Sequence, residues 1–140
     1  MTDIIVTTPK FKRQIAAAEA EDIKARGGGE YFRTVRSVPK KFGPGDRVFY
    51  VDRDYIRGFC VVTRIVNGGE TYVCGTTGVN WGTGPHLVMD ATSWKWVTPI
   101  PHKGFQGWWY FTPPDGMEIV GDWLDPMPPD PMPPDPREEA

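Results

Sequence analysis

Residues 43–66, GPGDRVFYVDRDYIRGFCVVTRIV, decide the fold class of this chain. Gly43 to Asp46 have the composition of a turn, and Arg47–Asp52 and Ile56–Val66 after them have the composition of strands. In the longer strand both alternating sets of side chains are apolar. This strand is therefore predicted to lie at the centre of a sheet whose two faces are both covered.

Further strands are predicted on both sides of this pair. Tyr31–Val38 alternates and is closed by Pro39, and Asn67-Gly68-Gly69 is the strongest hairpin signal, leading into Thr71–Cys74. The later strands are predicted over His86–Met89, Ser93–Val97, Trp108–Thr112 and Met117–Val120. These short strands with closely spaced turns, together with one helix, predict an α+β fold, a small twisted β-barrel.

This barrel domain is predicted to span residues 30–121, after a helix and a glycine-rich linker over residues 1–29. Thr8-Pro9 is typical of a helix start, Lys10–Arg26 contains good helix formers, and Gly27-Gly28-Gly29 ends the pattern. The apolar side chains of the helix form only a narrow stripe. The helix is therefore expected to be peripheral.

Residues 122–140 contain the repeat DPMPP DPMPP DP and hold one basic and six acidic side chains. A segment so rich in proline has little surface to bury, so it is predicted to be disordered and polyproline-like. Two interpretations remain open for this tail. It is either a solvated, solubilising end or a ligand for an aromatic groove on a protein partner.

The bulk composition limits the class of protein. A chain of 140 residues suits one domain, and its net charge of −2 combines the acidic tail with a mildly basic body. No apolar run approaches the roughly 18 residues of a membrane span, and residues 1–10 do not resemble a signal peptide. We therefore expect a cytoplasmic protein without a membrane partner.

The two cysteines, Cys60 and Cys74, are predicted to be buried free thiols rather than a disulfide. Together with His86 and His102 they lack the close spacing of a zinc site. Neither a metal ion nor a cofactor is predicted.

Two aromatic stretches, Ser93-Trp94-Lys95-Trp96 and residues 102–111, HKGFQGWWYF, are unusual for a plain barrel. Flat rings beside amide and ammonium groups suit stacking on a base with hydrogen bonds to its edge. For each ring, burial in the core is the alternative. The candidate ligand-binding residues are Trp81, Trp94, Trp96 and Phe105 for stacking, Gln106 for a base edge, Arg57, Lys95 and Lys103 for phosphate, and His102 beside them.

The order of these segments resembles the PUA-like superfamily, in particular its EVE and ASCH branches. The resemblance covers about residues 30–112 and depends on Gly45, Asp46, Arg47, Val48, Tyr50, Ile56, Gly58 and Val62. It implies a pseudobarrel that binds RNA or single, often modified, nucleobases in a cleft or aromatic cage. The ASCH-type motif Gly-x-Lys-x-x-Glu-x-Arg is absent, so no catalytic Lys and Glu carry over.

Catalysis finds little support in the residues themselves. His102 beside Lys103 has the composition of an acid–base pair, and Asp52 with Asp54 has that of a carboxylate pair. The simpler interpretation is that His102 lies in an exposed loop and that the two aspartates lie in a solvated turn. No catalytic residue is predicted.

The sequence thus favours a non-catalytic module that recognises a nucleobase or nucleotide through an aromatic cleft. The ligand is expected to be free or part of RNA or DNA that contains a modified base. The alternatives are a structural or protein-interaction protein that uses the Pro-rich tail, and a small nucleoside hydrolase.

Overall fold

The computed structural model of the protein describes residues 2–67, 72–73, 80–82 and 84–131, and for Phe11 and residues 72–73 and 80–82 it describes the backbone alone. In chain order the elements are β1 (Asp3–Thr7), a 3-10 turn (Lys10–Lys12), α1 (Arg13–Arg26), β2 (Glu30–Thr34), β3 (Arg47–Asp52), β4 (Tyr55–Val66), β5 (Tyr72–Val73), β6 (Asn80–Gly82), β7 (His86–Pro101), β8 (Trp108–Phe111) and β9 (Ile119–Asp122).

The main sheet has the strand order β2-β7-β4-β3-β1-β8, and β9 pairs with β7. Among the described strands only β1 and β3 run parallel, and β5 and β6 form a separate two-stranded sheet. As predicted, β4 is central, because β3 and β7 flank it. The fold is therefore a sheet-rich domain with one α-helix.

The predicted closed barrel is wrong, because the sheet is open. No ladder joins its end strands, β2 and β8, in the described part of the chain. The expected strand Tyr31–Val38 ends at Thr34, and the chain then crosses one face of the sheet, where Val35 and Phe42 are buried. This crossing segment reaches β8 through single hydrogen bonds instead of a ladder. Trp108 Nε1 donates to Ser37 O at 3.0 Å, and the Lys41 amide donates to Tyr110 Oη at 3.1 Å.

The strand β1 was not among the predicted ones. It lies between β3 and β8, and Ile4, Ile5 and Val6 are fully buried. Asp3 anchors its start, since its carboxylate accepts bonds from Arg47 Nη2 at 2.7 Å, Arg47 Nε at 3.2 Å and the Arg47 amide at 3.1 Å. Residues 1–29 thus contribute a central strand and not only the predicted helix and linker.

Two predicted strands, His86–Met89 and Ser93–Val97, form one long bent strand, β7. At the bend, Asp90 Oδ1 accepts bonds from the amide and hydroxyl of Thr92 at 2.9 and 2.8 Å. The Ser93 hydroxyl accepts a bond from the Val61 amide at 2.8 Å, where the β4–β7 register shifts. These side chains replace ladder bonds, so the strand bends without ending.

The sheet is packed on both faces, following the two-residue period of its strands. One face has a core around Ile4, Val48 and Cys60, and the other has a core around Ile5 and Phe49. Cys60 is a buried free thiol as predicted, whereas Cys74 lies outside the described residues.

The helix confirms the predicted narrow stripe, since Ile23 is its one buried residue among the described side chains. Its end is also as predicted: Gly27 has a φ of 80°, and the Gly28 amide donates to Ile23 O at 3.1 Å. Within the described residues, no helix has the length and apolar character to cross a membrane.

Residues 123–131, here called the tail segment, follow β9. The sequence predicts disorder over 122–140, but the described part of this stretch contacts the domain. Trp96 Nε1 donates to Asp125 O at 3.0 Å, and the Asp130 carboxylate is paired with Arg57. Residues 132–140 lie outside the described residues.

We predict that Asp3→Ala lowers the free energy of unfolding by about 2–3 kcal/mol, because it leaves the Arg47 guanidinium partly buried without its partner. Urea denaturation monitored by circular dichroism measures this change. Asp115→Ala removes an exposed carboxylate and should change the unfolding free energy by less than about 0.5 kcal/mol. Equal stability of both variants would contradict an anchoring role for Asp3.

Candidate functional site

A cavity of about 510 Å³ separates α1 from the sheet. We call it the helix–sheet pocket. On the helix side it is lined by Ala16, Ala17, Ala20 and Ile23. Alanine side chains are too short to fill the space above the sheet, so the helix roofs the cavity instead of closing it. Because α1 has few large apolar side chains, the space between the helix and the sheet remains a cavity.

Aromatic side chains form the opposite wall, from strands β2, β3 and β7. Trp94 packs edge-on against Trp96, with ring centroids 5.0 Å apart and planes at 83°. The centroid of the Trp94 ring also lies 5.6 Å from the centroid of the Tyr50 ring. Tyr31 lines the same cavity. The pocket thus presents the ring faces and edges that accommodate a planar ligand.

Gly58 makes this aromatic wall possible. It is paired with Tyr50 on one side and Trp96 on the other. A Cβ atom on residue 58 would lie 2.3 Å from Lys95 O and 2.5 Å from Trp94 Cζ2. Because there is no side chain at this position, the Trp94 indole can lie directly against β4.

Arg57, the residue before Gly58, places a cation in the pocket. Its side chain is only 2% exposed, and its Nε donates to Asp52 O at 2.9 Å. The guanidinium lies 4.9 Å from the Tyr55 ring centroid and is paired with the Asp130 carboxylate. A buried guanidinium requires such partners, since its desolvation is costly.

The β3–β4 turn supplies the carbonyls that Arg57 binds. Its central residues, Arg53 and Asp54, both have positive φ, at 52° and 63°. Residues other than glycine rarely adopt this backbone conformation. It matches the twist of a two-residue hairpin turn. The Asp52 carboxylate in this turn bonds Arg13 of α1 at 2.7 Å and Arg53 at 2.8 Å. The turn therefore holds the helix as well as Arg57.

Arg33 of β2 is another of the arginines that line the pocket. Its Nη2 donates to Thr7 O at 3.1 Å, and no carboxylate of the described residues forms an ion pair with it. Burial lowers the pKa of Arg33. Burial and, after it, the charge of Arg33 also lower the pKa of Lys12. Six basic and three acidic side chains line the pocket, so positive charge predominates there.

Burial also affects the tyrosines of the wall. It raises the pKa of Tyr50 and that of Tyr31 well above the ordinary value of 10.0. Both phenols are therefore neutral at physiological pH, and their hydroxyl groups can donate hydrogen bonds.

The structure divides the predicted site residues into two groups. Trp94, Trp96 and Arg57 line the helix–sheet pocket together. Lys95 alternates with the two tryptophans and is not among the lining residues, so it belongs to the other face of β7. The side chain of Trp81 lies outside the described residues.

The remaining predicted residues belong to the loop before β8, away from the pocket. Phe105 packs against the core on the second face and stacks on Trp109, with centroids 4.2 Å apart and planes at 10°. The ring centroids of His102 and Phe105 are 5.6 Å apart. The side chains of Lys103 and Gln106 are exposed. This loop does not join Trp94 and Trp96 in a single site.

Sequence reasoning missed several residues that line the pocket, namely Arg33, Tyr50, Tyr31, Arg13 and Trp123. Arg33 had a signal, since it is a charged residue within a strand next to aromatic neighbours. Tyr50 and Tyr31 had none, because an aromatic residue in a strand usually belongs to the core.

Comparison of the chain with protein-family models, curated proteins and solved structures finds no match.

We predict that Gly58→Ala lowers the free energy of unfolding by about 2–3 kcal/mol, because the new methyl group displaces Trp94. The near-ultraviolet circular dichroism of the indoles should change at the same time. The matched control is Gly43→Ala, whose Cβ would meet nothing within 4 Å. If both variants keep the wild-type spectrum and melting temperature, the close packing of Trp94 on Gly58 is refuted.

A second prediction concerns alkaline pH. The pKa of Tyr50 is raised in the folded state, so its full contribution to stability is present below the unfolded value of 10.0 and is lost as pH rises above it. Each such tyrosine steepens the decline by up to about 1.4 kcal/mol per pH unit. Tyr50→Phe should show a shallower decline than the wild type in urea titrations between about pH 9 and 11. Identical slopes would exclude burial of a neutral Tyr50 phenol.

Proposed function

We propose that this protein is a non-catalytic binding module that holds a nucleobase or nucleotide in the helix–sheet pocket. The observation that carries the proposal is the combination of Trp94 and Trp96 with Arg57 and Arg33 around one cavity of about 510 Å³. Pockets for small ligands commonly measure about 300–1,000 Å³. The indoles offer faces for stacking, and the guanidinium groups offer donors for a phosphate.

Trp94 adds a polar group to this pocket. Its Nε1 is buried, and no described atom accepts a hydrogen bond from it. An unsatisfied buried donor costs about 1–3 kcal/mol. A ring nitrogen or carbonyl oxygen of a base that reached this donor would remove that cost, which supports a ligand with acceptors on its edge.

The positions of the cations favour a single nucleotide over a long strand. Lys95 and Lys103, which the sequence assigns to phosphate, do not line the pocket with Arg57 and Arg33, so these two lysines do not extend the phosphate site along a strand. The ligand in this proposal is a free nucleotide or one base taken out of its strand, including a modified base.

The PUA-like relationship is part of the same proposal. Gly58 belongs to the residues that carry the resemblance, and it is the residue that makes room for Trp94. An aromatic cage of that superfamily would here consist of Trp94, Trp96 and Tyr50.

We predict that Trp96→Ala lowers the affinity for the best ligand among the four ribonucleoside 5′-monophosphates by at least about tenfold, with a small change in melting temperature. Stacking on an indole contributes about 1–3 kcal/mol per base, and Trp96 is only half-buried. Isothermal titration calorimetry measures the affinity.

The matched control is Trp109→Ala, which removes an indole that is 55% exposed and lies on Phe105. It should leave the affinity within about twofold. If none of the nucleotides binds the wild type, or if both tryptophan variants lose affinity equally, the proposed site is wrong.

A further inference from the structure

We infer that Arg57 is the anion-binding residue of the helix–sheet pocket. In the structure the Asp130 carboxylate of the tail segment occupies the position that the anionic group of a ligand would take. The inference rests on the proposed function for the identity of the ligand, but not for the existence of the anion site. It makes the tail segment an internal competitor of any ligand that carries a phosphate or carboxylate.

The two partners of this ion pair differ in how firmly they are held. The Arg57 side chain is 2% exposed, whereas that of Asp130 is 55% exposed. Arg57 belongs to a central strand and is also held by Asp52 O and Arg53 O. Arg57 is thus a fixed part of the pocket, whereas the Asp130 carboxylate belongs to a segment on the surface.

Asp130 is the only carboxylate among the described residues that forms an ion pair with Arg57. The other partners of its guanidinium are two carbonyl oxygens and the Tyr55 ring, which carry no net charge. A buried cation with neutral partners alone is strongly disfavoured. An anion is therefore a favourable partner for the Arg57 guanidinium, and either the tail segment or a ligand can supply it.

The tail segment is attached next to the aromatic wall. The Asp125 carboxylate accepts a bond from the Asp122 amide at 2.8 Å, and Asp125 O accepts one from Trp96 Nε1 at 3.0 Å. Met127 then lines the pocket between this turn and Asp130. A ligand that stacks on Trp96 and reaches Arg57 would occupy the same path.

An exchange of anions at Arg57 follows from this geometry. A phosphate or carboxylate replaces Asp130, the tail segment leaves the mouth of the pocket, and the guanidinium keeps a charged partner throughout. Ligands that lack an anionic group would have to remove Asp130 without replacing its charge. The pocket should therefore discriminate nucleotides from nucleosides.

The test uses the full-length chain with ¹³C-labelled methionine methyl groups, because Met127 reports the position of the tail segment. Inorganic phosphate is titrated into the wild type and Asp130→Asn, with chloride at equal ionic strength as reference. We expect Asp130→Asn to move the Met127 resonance toward its position in the urea-unfolded protein. We also expect phosphate to bind this variant at least about fivefold more tightly than the wild type.

The matched control is Asp115→Asn, which makes the same change of charge at an exposed turn and should leave both readouts at their wild-type values. If Asp130→Asn leaves the Met127 resonance and phosphate affinity unchanged, the inference is overturned. Nucleoside monophosphates and nucleosides are then titrated into the same proteins. Tighter phosphate binding without any nucleotide binding would support the anion site and contradict only the proposed ligand.

Discussion

A Cβ atom on residue 58 would lie 2.3 Å from the Lys95 carbonyl oxygen and 2.5 Å from Trp94 Cζ2. The close approach of β4 and β7 at this point therefore requires glycine at position 58. This approach places the Trp94 indole between Tyr50 and Trp96. The aromatic wall of the pocket is thus a consequence of strand packing. The alanine-rich side of α1 then leaves the wall open to a ligand.

The parts of the fold that could be predicted are those that local pattern determines. The doubly apolar β4 is central, and the helix ends at Gly27. The open sheet could not be predicted, because it depends on where Val35 and Phe42 are buried, and their burial is a tertiary event. The strand β1 was missed although its apolar run is visible, since the run is short and its pairing with β3 and β8 is a long-range event.

The same distinction applies to the site. Alternation within one strand groups Trp94 with Trp96, and both line the pocket together with Arg57. The loop at Phe105 was grouped with them by composition alone, and it packs on the opposite face. Arg33 joins the pocket through the register of β2 with β7, and sequence spacing does not contain that register.

The five-residue repeat places Asp125 and Asp130 before the same residues, Pro-Met-Pro-Pro, yet the two aspartates have different partners. Asp125 stabilises the turn after β9, and Asp130 pairs with Arg57. In a polyproline conformation five residues span about 15 Å, which is enough to carry a carboxylate from the edge of the aromatic wall into the pocket. The tail segment therefore does not need a core of its own to be ordered. It is held by the bond from Trp96 to Asp125 O and by the pairing of Asp130 with Arg57, and in the inferred exchange an anion is the ligand best suited to displace Asp130.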